Sequence, residues 1–170
     1  MTATAYEKLE QRFRRILVLG DAGEALQWDY ATMMPAGGGP GRGEQLAELS
    51  GVCHSLLSDS ETGDLLEEAD QDGNLNNWQS ANLQAMKRKW VHATALSEDL
   101  VLAFSKACTG CETVWREARA ASDFAAVLPH MEALLWLVRQ CASAKAEKLG
   151  LSPYDALLDE FEPGGRSADI

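Results

Sequence analysis

Ala25–Gln45, ALQWDYATMMPAGGGPGRGEQ, joins the end of one apolar-periodic run to the start of another. Between Pro35 and Gly43 it places five glycines and two prolines, a composition that breaks regular structure and forces a turn. Upstream, Tyr6, Leu9, Phe13, Ile16 and Leu17 recur at three- and four-residue spacing and continue through Leu26 and Tyr30, which predicts a helix from near Thr4 towards Pro35. Downstream, Leu46, Leu49, Val52, Cys53, Leu56 and Leu57 predict a second helix. The stretch therefore reads as a glycine-rich loop over 35–43, hinging two antiparallel helices. Gly20 and Gly23 weaken the first helix by about 1 kcal/mol each relative to Ala where exposed, and they allow a bend or a close helix contact.

The same periodicity continues to the end of the chain. A short acidic helix is expected from Ser60 to Ala69, then a turn-rich loop over 71–77. A long helix follows with Trp78, Ala81, Met86, Trp90 and Ala93 on its inner face. Ser97, with Glu98 and Asp99 after it, starts a helix running to about Arg119, because a hydroxyl cap and early negative charge suit a helix amino terminus. Ser122 or Asp123 caps the next element. Pro129 predicts a short turn and then a main helix starting at the proline, carrying Met131, Leu134, Leu135, Val138 and Cys141 and ending near Gly150. Ser152 and Pro153 open a last short helix to Asp159, and 162–170 is expected to be an irregular tail. No segment alternates with period two. The predicted fold class is all-α, an antiparallel helical bundle of about five longer and two short helices in a single domain over 1–170.

Composition narrows the function classes. With 170 residues and 46% hydrophobic content the chain can bury one core. Its longest apolar run, Ala133–Val138, is far short of the roughly 18 residues of a membrane span. Glu7 and Glu10 sit among the basic residues of the amino terminus, unlike a secretory signal, so a soluble cytoplasmic protein without a membrane partner is expected. The formal charge is −11, and between Gly43 and Met86 there are nine acidic residues and no Lys or Arg. Such a surface repels polyanions, so nucleic acid is not an expected partner. Arg12, Arg14, Arg15 and the Lys87-Arg88-Lys89 triplet are interleaved with apolar positions and read as solvated helix faces.

The chemical motifs fail on particular residues. Zinc-peptidase H-E-x-x-H puts two histidines one turn apart on one metal, but His54 precedes Ser55, His92 precedes Ala93, and His130 precedes Met131. His130-Met131-Glu132 lacks the downstream P-C-x-x-C of a zinc deaminase. Cys108 and Cys111 form a C-x-x-C at helical spacing, on an apolar stripe with Phe104, Ala107, Val114 and Trp115. Small buried hydrophobes are the reading, with a redox or zinc role as the alternative, and Cys53 and Cys141 are expected as reduced thiols. Asp70, Asp72 and Asn74 begin like a calcium loop, yet Leu75 and Ala81 stand where glycine and glutamate are required. The glycine loop follows a helix and lacks G-K-S/T, so it does not read as a phosphate cradle. Trp28, Trp78, Trp90, Trp115 and Trp136 read as core or interface. Asp29, Glu112 and Glu132 have no spacing that selects an acid–base pair. No catalytic, cofactor-binding or metal residue is assigned.

Ala25–Gln45, together with EQLAELSGVCHSLLSD at Glu44–Asp59, GDLLEEA at Gly63–Ala69, WREARAASDFAAVLPHMEALLWL at Trp115–Leu137 and SPYDALLDEFEPG at Ser152–Gly164, resembles the amino-terminal part of the carboxypeptidase Taq family of metallopeptidases. The resemblance implies a mostly helical, commonly dimeric metal-dependent carboxypeptidase that releases carboxy-terminal amino acids from peptides, with zinc or cobalt held by an H-E-x-x-H and a later glutamate. It implies that these helices form a lid or wall over a peptide groove, with the catalytic part as a missing partner. Without the metal motif the chain is expected to be inactive alone, as a truncated piece of such an enzyme. The alternative is a stand-alone helical interaction or self-association module derived from that family.

Overall fold

The computed structural model describes residues 3–35 and 37–170. Among them are seven α-helices and one 3-10 turn: α1 (Ala5–Thr32), α2 (Gly39–Ser58), α3 (Ser60–Asp70), α4 (Asn77–Thr94), α5 (Glu98–Ala121), α6 (Phe124–Leu149), α7 (Pro153–Phe161) and a turn at Ser167–Asp169. Five are long and two short, as the periodicity predicts.

Local chemistry sets most boundaries. Thr4 accepts from the Glu7 amide and Glu7 accepts from the Thr4 amide, so α1 opens on a reciprocal capping box. Asn76 and Gln79 do the same for α4, and Asp59, Ser97, Asp123 and Ser152 cap α3, α5, α6 and α7. Gly150 ends α6 in the left-handed conformation, at φ 67°. Ser122 takes the same role at φ 55° in the tight α5–α6 turn, with its amide on the Ala118 and Arg119 carbonyls.

α2 lies between α1 and α5, α5 carries α6, α6 carries α7, and α3 and α4 close the other end against α1. Side-chain pairs fix the directions. Arg42 reaches Leu26 and Asp29 while Cys53 approaches the Ile16 carbonyl, so α1 and α2 run antiparallel. Gly39, Gly43 and Gly51 face Thr113, Thr109 and Leu102 in turn, so α2 and α5 also run antiparallel. The apolar core sits where α1, α3 and α4 meet: Tyr6, Leu9, Leu65, Leu66, Leu83 and Met86, with Phe13 and Trp90 packed on it.

Four sequence expectations are corrected. The glycine loop over 35–43 is shorter, because α2 already begins at Gly39 with Pro40 in its first turn, where a missing N–H costs no hydrogen bond; Ala36 lies outside the described residues. α6 does not start at Pro129 but runs through it from Phe124. Asp123 caps the helix upstream, and the carbonyl that the proline leaves free belongs to exposed Ala125, where water can satisfy it. The inner face of α4 is Leu83, Met86 and His92; Ala81 is exposed and Trp78 is 86% exposed. The segment 162–170 is tied down: Asp159 accepts from the Gly164 amide, Asp155 from the Ser167 amide, and a 3-10 turn follows.

Candidate functional site

The residues of Ala25–Gln45 converge on a latch between α1, α2 and α5. Asp29 on α1 meets Arg42 on α2 at 2.5 Å, and Arg42 also donates to the Leu26 carbonyl. Buried Tyr30 places its hydroxyl 3.0 Å from the Thr109 carbonyl and 2.7 Å from Thr113 Oγ1. Arg116 stacks over the Tyr30 ring at 4.1 Å, donates to the Tyr30 carbonyl and pairs with Glu112, which also takes a bond from Gln27. Cation–π contact and ion pairing thus act on one ring and one helix end.

The glycines are part of this latch. A Cβ added at Gly39 would sit 3.1 Å from Thr113 Oγ1, at Gly43 3.3 Å from Thr109 Cγ2, and at Gly51 3.0 Å from Leu102 Cδ2. With fully buried Ala47 between them they form a ridge of small residues at four-residue spacing, which lets α2 press closely on α5. The sequence signal for this was present as Gly39, Gly43, Ala47 and Gly51, and the helix-breaking reading of glycine hid it.

A second polar cluster gathers around Asp159 on α7. Its Oδ2 accepts from Arg88 Nε at 3.1 Å and His92 Nε2 at 3.0 Å, and its Oδ1 from the Gly164 amide at 3.0 Å. A carboxylate only accepts, so the His92 nitrogen facing it carries the proton. Burial pushes the Asp159 carboxyl up, but the Gly164 amide, His92 and Arg88 outweigh it and hold the group well below the usual carboxylate range. Lys145 on α6, itself buried, meets Glu160 at 2.5 Å beside this cluster. Neither Asp159 nor His92 was selected from the sequence as a linked pair; they lie far apart along the chain, and only the α4–α7 packing joins them.

The other candidates separate. His54 lies on α2, its pKa lowered by burial against the opposing pull of Glu98; His130 is exposed on α6. Burial raises the Cys53, Cys108 and Cys141 thiols, which favours the protonated and unreactive form. Asp72 accepts from the Asn74 amide and side chain, and Asp70 pairs with Lys87, so the acidic loop is a self-bonded turn. Asp29 and Glu112 are each held by an arginine, while Glu132 is exposed. Of the tryptophans, only Trp90 packs on the core; Trp28 and Trp136 are each 63% exposed.

A third feature is apolar. The amino-terminal half of α6 projects Phe124, Leu128, Met131 and Leu135 into solvent at spacings of four, three and four, with Trp115 of α5 beside them. Among the described residues no helix is long and apolar enough to cross a membrane.

An all-helical bundle of this order is shared with a known class of proteins. The family described as carboxypeptidase Taq (M32) metallopeptidase matches residues 8–170, and the chain belongs to it. It is 32% identical over 161 residues to thermostable carboxypeptidase 1 of Pyrococcus furiosus, covering 94% of this chain and 32% of that protein. It is 29% identical to thermostable carboxypeptidase 1 of Thermus thermophilus, over 98% of this chain and 34% of that protein. The solved structure of Trypanosoma cruzi metallocarboxypeptidase 1 superimposes with a TM-score of 0.79 at 34% identity, covering 97% of this chain and 33% of that one. The chain spans about a third of the length of the relatives it matches.

A metallopeptidase family implies a metal, which needs converging donors. Among the described residues no three of His, Cys, Asp and Glu converge in that way. His54, His92 and His130 lie on α2, α4 and α6, and His92 is already bonded to Asp159.

Proposed function

We propose that this chain acts as the amino-terminal helical part of a metal-dependent carboxypeptidase, whose parent activity is release of carboxy-terminal amino acids from peptides. It forms one wall over the peptide groove and supplies none of the metal ligands. The observation that carries this reading is the match itself, which takes in nearly all of this chain and only about a third of each relative. Zinc or cobalt, the proton-transfer groups and the contacts that hold the peptide end belong, on this reading, to the remaining two-thirds. The polar clusters present here support it, because each charged group in them is engaged in tying helices together.

The 170-residue chain is therefore expected to be silent alone. Purified protein incubated with short peptides and added zinc or cobalt should release no carboxy-terminal residue. Metal-dependent release that a chelator abolishes would overturn the reading. A second reading, a helical module that self-associates, draws on the exposed apolar row of α6 and predicts a dimer by light scattering.

A further inference from the structure

From Phe124 to Trp136 the sequence FAAVLPHMEALLW carries one carboxylate, Glu132, and no Lys or Arg. In this half of α6 only Val127 is buried, whereas the following half buries Cys141, Ala142 and Lys145. The exposed side chains are not scattered. Phe124, Leu128, Met131 and Leu135 share one helix face, and Trp115, Phe124, Val127 and Met131 line a single groove at the end of α5. Single exposed hydrophobics need no explanation, but a contiguous stripe of Phe, Trp, Met and Leu, with Arg119 and Asp123 at its rim, has the apolar centre and polar edge of a covered interface.

We propose that this stripe, with Trp115, is the seam on which the carboxy-terminal two-thirds of a full-length carboxypeptidase packs. The inference rests on the reading of the chain as the amino-terminal part of such an enzyme. Two observations select this occupant. The relatives are about three times as long, so a large body must be accommodated somewhere on the bundle. The end of the chain lies along the carboxy-terminal half of α6, with α7 packed on it and Glu160 tied to Lys145, so a continuing chain leaves the bundle beside the helix whose other half carries the stripe. A second copy fits less well, because it would bring together two bodies each of formal charge −11.

The test places M131E with L135E in both the 170-residue chain and the full-length gene product, whose mass is first read with an antibody to this region. In the short chain the double variant should melt at the wild-type temperature, since these side chains lie on an exposed face. In the full-length product it should speed limited proteolysis between the two parts by about tenfold or more, because cleavage tracks the open population. The conservative L135M should cleave at the wild-type rate. Unchanged cleavage of the full-length double variant would overturn the seam and leave the family reading intact. A dimer of the short chain that the double variant dissolves would overturn it in favour of a second copy. A native product of 18.5 kDa, the mass of this chain, would remove the fragment reading and the seam together.

Discussion

The two motif-bearing latches use similar residues in different surroundings. At the amino-terminal latch Asp29 keeps 37% of its side chain exposed beside Arg42, and the knot is completed by a tyrosine hydroxyl, a stacked arginine and closely approached glycines. At the carboxy-terminal latch Asp159 keeps only 11% of its side chain exposed, and Arg88, His92 and the Gly164 amide bond to its two oxygens with Arg166 3.7 Å away. The first distributes its strength over many modest contacts. The second concentrates it on one buried carboxylate. An equal-looking substitution should therefore do unequal damage.

The largest effect is expected from Asp159→Ala. It leaves Arg88 and His92 facing each other without the charge that binds them, and removing one partner from a buried ionic cluster typically costs about 3–5 kcal/mol. For a chain of this length that corresponds to a fall in Tm of roughly 6–20 °C, measurable by circular dichroism. A fall no larger than that of Arg42→Ala would break the comparison.

Acid should sharpen it. A carboxylate depressed in the folded state adds stability that is present in full above its unfolded pKa, about 3.9, and is lost as pH falls through its folded value. Asp159 is such a group, so the wild type should lose stability as the pH drops below about 4. Asp159→Asn, less stable at neutral pH, should show a shallower loss over the same range. Parallel acid-unfolding curves for the two proteins would show that the cluster does not set the acid limb.

Tyr30→Phe probes the distributed latch. It deletes a buried hydroxyl that donates to the Thr109 carbonyl or shares a proton with Thr113, and a loss of about 1–2 kcal/mol is expected, read from urea unfolding. The ring stays, so the Arg116 stacking survives. A loss as large as that for Asp159→Ala would mean that the hydroxyl carries the whole knot.

These contrasts also show what could be read along the chain. Helix periodicity and start signals are local, so α1 was legible from Thr4 and the apolar spacing after it, α5 from Ser97 with Glu98 and Asp99, and α7 from Ser152 and Pro153. ALQWDYATMMPAGGGPGRGEQ and SPYDALLDEFEPG carried the resemblance to the family, and in the structure each stretch contributes residues to a latch. What those residues do was not legible. Asp159 acquires meaning from Arg88 and His92, about seventy positions away, through packing that no local pattern encodes. Pro129 misled for the opposite reason: a local rule was overridden because the carbonyl it frees faces water. Met131 and Leu135 share an apolar periodicity with Leu134, and periodicity marks an apolar face without saying which body will cover it.

The smallest effect concerns glycines of opposite kind. Gly43 and Gly51 press against α5, and a methyl there must displace Thr109 or Leu102, whereas a Cβ at Gly20 or Gly23 meets nothing within 4 Å. Both of the latter lie in the middle of α1, where glycine is worth about 0.5–1 kcal/mol less than alanine. Gly20→Ala should therefore stabilise the chain by about that amount, and Gly51→Ala should destabilise it, in the same thermal scans. Gly20 and Gly23 border a groove between α1, α2 and α5 that Leu46, Cys53, Phe104 and Cys108 also line. A loss from Gly20→Ala would mean that α1 closes over this groove in solution, and the openness that distinguishes its midsection from the latched ends would have to be abandoned.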